Sequence, residues 1–146
     1  MTILIDADGC PVVDTTIHLA VEYGCECILV CDTSHEFQRK GARTVTVSKG
    51  ADSVDFMLVN MVLPGDIVVT QDYALAAMCL ARKAIPIRQD GLVYTDNNID
   101  ALLHERHTSR KIRMGGGRLK GGTKRTAAED VAFEASLRSL LTQGTE

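Results

Sequence analysis

The sequence predicts an α/β fold: a single three-layer α/β/α domain around a central parallel sheet of about five strands in the order 3-2-1-4-5. Short β-branched apolar runs alternate with longer stretches whose apolar residues recur three and four apart. Parallel strands require such crossovers, and the crossovers place helices on both faces of the sheet. A length of 146 residues with 45% hydrophobic composition supplies one packed core and too little chain for two ordinary domains.

Thr2 to Ile5 is the first apolar run. It ends in Asp-Ala-Asp-Gly, and Pro11 then opens a helix through Val12, Val13, Ile17, Ala20 and Val21 that Gly24 stops. Glu26 to Val30 and Thr44 to Val47 are strands two and three, separated by the polar stretch Asp32 to Gly41. A second helix begins at Asp52 with Val54, Met57, Leu58, Met61 and Val62 on its apolar side, and Pro64-Gly65 ends it before the strand Ile67 to Thr70. Asp72 precedes a third helix bearing Leu75, Ala76, Cys79 and Leu80, and Ala84 to Ile87 is a fifth strand before the Asp90-Gly91 turn. Thr95 is expected to cap a helix reaching about Leu103. Thr126 is expected to cap a last helix, to about residue 142, with Val131, Phe133, Leu137, Leu140 and Leu141 as its apolar side. Between them the segment Gly115 to Gly122 is too polar and glycine-rich to add core, and it reads as a loop.

Composition narrows the function classes. No apolar run approaches the roughly 20 residues that cross a bilayer, and the start MTILIDADGC lacks the order of a secretory signal. Five cysteines, an odd number, argue against a disulfide framework. A cytoplasmic, membrane-free protein is the expectation. The net charge of -3 conceals an asymmetry: the stretch 104–126 holds eight of the sixteen Lys/Arg and one of the nineteen acidic residues. Such a split marks a polyanion-binding segment when it lies near chemistry.

The chemistry is expected at the carboxyl ends of the strands, where the strand order reverses between strands one and four. Asp6 and Asp8 end strand one, Asp72 follows strand four, and Asp52 and Asp55 share one face at the start of the second helix. Any one aspartate there is explained by turn or cap formation. Five together repel one another and raise each other's pKa unless a cation neutralises them. Hard oxygen ligands point to Mg²⁺ or Mn²⁺ held by Asp6, Asp8, Asp52, Asp55 and Asp72, and to phosphodiester hydrolysis with Asp6, Asp8, Asp55 and Asp72 as the catalytic set.

The stretches IDADGCPV, KGADSVDFMLVN, PGDIVVTQDYALA, DGLVYTDNNIDALL and RKIRMGGGRLKGGTKRT resemble the bacterial YaiI/YqxD family over nearly the whole chain. That family is grouped with PIN-like and NYN-like nuclease folds, so the resemblance implies a PIN-like fold and a metal-dependent nuclease site. Within the NYN-like pattern, the acidic pair of strand one resembles Asp6 and Asp8, the Lys-x-x-x-x-Asp element resembles Lys49 to Asp55 with one more intervening residue, and the Ser/Thr-x-Asp element resembles Thr70 to Asp72. PIN-type nucleases often carry a further acidic residue after the fifth strand, where this chain offers only Asp90 in its turn.

The remaining candidates bear on substrate. The Thr70 hydroxyl is placed to touch a metal-bound water or a phosphate, against the alternative of a β-branched strand end. Lys49 can steer a phosphate or be solvated surface. Arg113, Arg118, Lys120, Lys124 and Arg125 are expected to hold the phosphate backbone of RNA or another polyanion with little sequence readout, the alternative being a solvated face and loop. Cys25, Cys27 and Cys31 fall on one side of a strand and are read as small hydrophobes rather than a zinc site. Cys10 precedes a helix start where a thiol pKa can fall, although packing is the preferred reading. Two alternatives to the nuclease stand. Asp6-Ala-Asp8-Gly resembles the nucleophile and acid pair of haloacid-dehalogenase phosphatases, though with Cys10 in place of Thr or Val and without a late acidic pair and lysine. The other is a non-catalytic module binding RNA or protein through the basic segment.

Overall fold

In the computed structural model, residues 1–32, 38–50, 53–105 and 124–144 are described. The elements in chain order are β1 (Thr2–Asp6), α1 (Val13–Glu22), β2 (Glu26–Asp32), β3 (Arg43–Val47), α2 (Ser53–Met61), β4 (Ile67–Val69), α3 (Tyr73–Ala81) and β5 (Ile85–Ile87). They are followed by a helical segment over residues 99–105, called α4, and by α5 (Ala127–Gly144). The strands form one sheet in the order β3-β2-β1-β4-β5, every pairing parallel, as the alternation of elements predicts.

Period-two alternation along the strands feeds two cores. Ile3 and Ile5 of β1, Cys27, Leu29 and Cys31 of β2 and Ile67 and Val69 of β4 point to one face, against α1 and α5. Leu4, Ile28, Val30 and Val68 point to the other, against Leu58 of α2 and Leu75 and Cys79 of α3. The central strands are thus buried on both sides, which is why they read as continuous apolar runs. Cys27 and Cys31 are core residues, and burial pushes the Cys27 thiol up to about 12.

Two expectations about helix faces need correction. Phe133, Leu137 and Leu141 of α5, spaced by four, are wholly buried, but Val131 is 67% exposed. Val131 lies two residues before Phe133, about 200° round the helix, and so faces away from the sheet. Met57 of α2 is likewise exposed: Leu58 and, just beyond the helix, Val62 are the buried residues of that stretch, with Val54, Val59 and Met61 partly buried against the same core. The caps behave as the sequence suggests. Thr126 Oγ1 accepts from Glu129 N at 3.3 Å while Glu129 Oε1 accepts from Thr126 N at 3.3 Å, a reciprocal capping box at the start of α5. Thr95 and Asn98 exchange the same pair of bonds, and the helix proper starts one residue later, at 99.

At the opposite edge of the sheet from the site, Asp66 is 6% exposed and its carboxylate accepts from Thr2 N at 3.0 Å and from Leu63 N at 2.9 Å. These charge-assisted bonds tie the start of β1 to the turn before β4. Asp66→Ala leaves two backbone donors unsatisfied and is expected to lower unfolding free energy by about 2 kcal/mol, read as a shift in urea midpoint without a change in slope.

Candidate functional site

The carboxyl ends of β1, β4 and β5 bound a cleft of about 310 Å³ lined by Asp6, Asp8, Gly9, Gln71, Asp72, Tyr73 and Gln89. It lies at the reversal of strand order, since β1 pairs with β2 on one side and β4 on the other. Asp6 is the last residue of β1. The chain then turns sharply, with Cys10 N donating to Ala7 O at 3.1 Å, and Gly9 takes a φ of +69° that other residues adopt only with strain. This turn presents Asp8 beside Asp6, where Asp8 Oδ2 accepts from Asp32 N at 3.4 Å.

Thr70 organises the other wall. It is wholly buried; its hydroxyl donates to Asp6 Oδ2 at 3.0 Å and accepts from Asp72 N at 3.0 Å. Its carbonyl accepts from Tyr94 Oη at 3.1 Å. Asp72 is the N-cap of α3, its Oδ1 accepting from Ala74 N at 2.9 Å and Leu75 N at 3.2 Å. Capping and cleft lining are therefore the same residue's two roles.

The electrostatics follow from this crowding. Burial is the largest influence on Asp6; the Thr70 hydroxyl opposes it, and the Asp72 and Asp8 carboxylates add to it, leaving Asp6 at about 6. Cys10 is pushed up to about 11, mainly by burial, so the thiol stays protonated and packs against the core. The preferred reading of Cys10 as a packing residue agrees with this, desolvation outweighing the influences that lower the thiol pKa.

Of the residues singled out in the sequence, Asp6, Asp8 and Asp72 meet in the cleft, with Thr70 bonded behind them. Asp55 stands in the first turn of α2 and Lys49 is exposed ahead of it; neither lines the cleft. Asp52, Arg113, Arg118 and Lys120 lie outside the described residues, as does most of the basic segment. Lys124 is exposed. Arg125 is half-buried near the cleft, its Nη2 donating to the backbone carbonyl of Gln89 at 2.6 Å and its Nε to Asp130 at 2.7 Å. Asp90 is taken up by Arg88 in a two-pronged ion pair at 2.9 and 2.8 Å, which holds its carboxyl below the usual carboxylate range. Among the described residues no group of three or more His, Cys, Asp or Glu side chains is arranged to hold a metal ion as it stands. No lysine or arginine among the described residues lines the cleft.

Gln71, Tyr73 and Gln89 escape a search for charged residues. Gln71 and Gln89 sit two positions beyond a strand end and Tyr73 opens the helix after β4, the only signal that marks them. No helix among the described residues is long and apolar enough to cross a membrane.

A protein of Exiguobacterium sibiricum named UPF0178 protein is 58% identical over the full length of both chains. A protein of the same name from Ruminiclostridium cellulolyticum is 51% identical over 94% of this chain and 90% of its own. Among solved structures, that of Rae1 (YacP) from Bacillus subtilis is similar over 98% of both chains, at 14% identity and a TM-score of 0.42. The model of the uncharacterised bacterial YaiI/YqxD family matches residues 4–143, and with relatives of this identity along its whole length the chain belongs to that family.

Proposed function

We propose that the protein is a Mg²⁺- or Mn²⁺-dependent hydrolase of phosphodiester bonds in RNA, acting at the cleft of Asp6, Asp8 and Asp72. The observation that carries this reading is the meeting of Asp6, Asp8 and Asp72 in one cleft at the strand-order reversal, where partial burial and the neighbouring carboxylates raise the Asp6 carboxyl to about 6. A divalent cation relieves that repulsion, whereas a purely structural site would favour neutral groups there. The donor set suits a hard ion bound through one or two carboxylates, with water and substrate phosphate filling the remaining positions. This is compatible with three side chains that do not by themselves close round an ion. When bound, the ion would supply Lewis acidity at a phosphoryl oxygen and lower the pKa of an attacking water.

The chain's own groups prepare the cleft. Thr70 orients Asp6, and the α3 cap fixes Asp72, so both carboxylates are held before substrate arrives. Arg125, near the end of the basic stretch of sequence, reaches the carbonyl of Gln89 beside the cleft, and Lys124, Arg113, Arg118 and Lys120 of that stretch would contact a phosphate backbone.

Isothermal titration of Mn²⁺ at pH 8 tests the reading. The wild type is expected to bind, and Asp6→Asn/Asp72→Asn to lose at least about tenfold in affinity with its circular dichroism unchanged. Equal binding by both would remove the ion from this cleft, and absence of binding in the wild type would leave a module that binds without cutting.

A further inference from the structure

Two cleft residues have no part in holding an ion. Tyr73 is half-buried; part of its ring packs on the small cluster of Ala76, Tyr94 and Ile99, and it also lines the cleft. Its position is fixed from two directions. The hydroxyl accepts from Arg88 Nη1 at 3.0 Å, and that guanidinium is itself clamped by Asp90. The ring of Tyr94 meets it at 5.8 Å and an angle of 66°, a tilted contact that does not stack on it. A tyrosine immobilised in this way gives up little further freedom when a flat group stacks on it.

Gln89 is the second residue. It is only 4% exposed, yet it lines the cleft, and its Oε1 is buried with no hydrogen-bond partner among the described residues. The same side chain is hydrogen-bonded to the Cys10 thiol, and a ligand that brings an N–H to the remaining acceptor would relieve a cost of about 1–3 kcal/mol. A flat group carrying N–H donors, set beside three carboxylates that suit a phosphate-bound ion, is a nucleobase.

We propose that Tyr73 is a stacking platform for one unpaired nucleobase and that Gln89 accepts a hydrogen bond from it, so the substrate is single-stranded RNA. The inference rests on the hydrolase reading for the adjacent phosphate. A base in a duplex is stacked on both faces and paired at its edge, and a cleft of about 310 Å³ is at the small end for even one ligand. Only a base freed from its helix can reach it.

The test is the emission of a short single-stranded RNA carrying one 2-aminopurine, titrated with the full chain in Mg²⁺. The wild type is expected to quench the emission on binding. Tyr73→Leu should abolish the quench and weaken binding about tenfold, while Tyr73→Phe, which keeps the ring, should retain both within about twofold. Gln89→Met should weaken binding severalfold and keep the quench, and a duplex of the same sequence should respond to none of these changes. An unquenched complex with the wild type, or equal quenching by wild type and Tyr73→Leu, overturns the inference whatever the variants' stability. The two readings separate cleanly: a strand that is quenched through Tyr73 but never cut fells the hydrolase alone. Cleavage at the wild-type rate by Tyr73→Leu, with no quench in either protein, fells the platform alone.

Discussion

Asp6→Asn is expected to lower ion-dependent RNA cleavage by about a hundredfold or more while making the metal-free protein more stable at pH 8. The two effects have one cause. Asp6 is half-buried beside Asp72 and Asp8, and its carboxyl is raised from about 3.8 to about 6. The folded protein therefore binds a proton that the unfolded chain has already released between those values. In the metal-free state its contribution falls as pH rises through that window and stays low above it. After discounting for partial exposure, the loss is about 2 kcal/mol at pH 8. Asparagine keeps the acceptor for the Thr70 hydroxyl and removes the charge, so it recovers that loss and forfeits the ligand. Thermal unfolding at pH 4 and pH 8, with and without Mn²⁺, reads both. The wild type should gain from the ion at pH 8 and hardly at pH 4, and the variant should gain at neither. A variant that unfolds earlier than the wild type at pH 8 without ion would show that the Asp6 charge is not under strain, and wild-type cleavage by it would remove Asp6 from the chemistry.

The residues that could be read in advance are those whose placement is set by topology. The strand order follows from alternating elements and crossover connections, and once it is fixed, Asp6, Asp8 and Asp72 must share an edge. Thr70 was legible for the same reason, being the strand end two residues before Asp72, although whether it faces the core or the carboxylates depends on packing; the structure shows it doing both. Asp55 illustrates the limit. Its placement at a helix start is correct, but the distance from a helix start to the cleft depends on how α2 sits on the sheet, which periodicity does not encode. Gln89 and Tyr73 were missed because an amide and a ring beyond a strand end have no charge pattern. Their significance comes only from burial, an unmatched acceptor and the Arg88 clamp.

Gly91→Ala is expected to be the most destabilising single-methyl change, lowering unfolding free energy by about 4 kcal/mol and the melting temperature by about 10 °C. Gly91 has a φ of +96°, and a Cβ built on it would stand 2.7 Å from the backbone oxygen of Ala132 and 2.9 Å from its carbonyl carbon. The neighbour is helix backbone, so it cannot rotate aside, and α5 as a whole must shift. That shift would stretch the bond from Ser136 Oγ to Gly91 O, 2.7 Å in the native structure, and the reach of Arg125 to Gln89 O. Gly9→Ala is the matching control. Gly9 has a φ of +69° but nothing within 4 Å of its would-be Cβ, so it incurs only the left-handed strain, about 1 kcal/mol. If the two variants lose equal stability, the 88–91 turn is not clamped on α5. If Gly91→Ala loses the larger amount and its RNA binding falls with it, the turn that carries Gln89 is held in the cleft by the last helix, and the C-terminal element of the fold acts directly on the site.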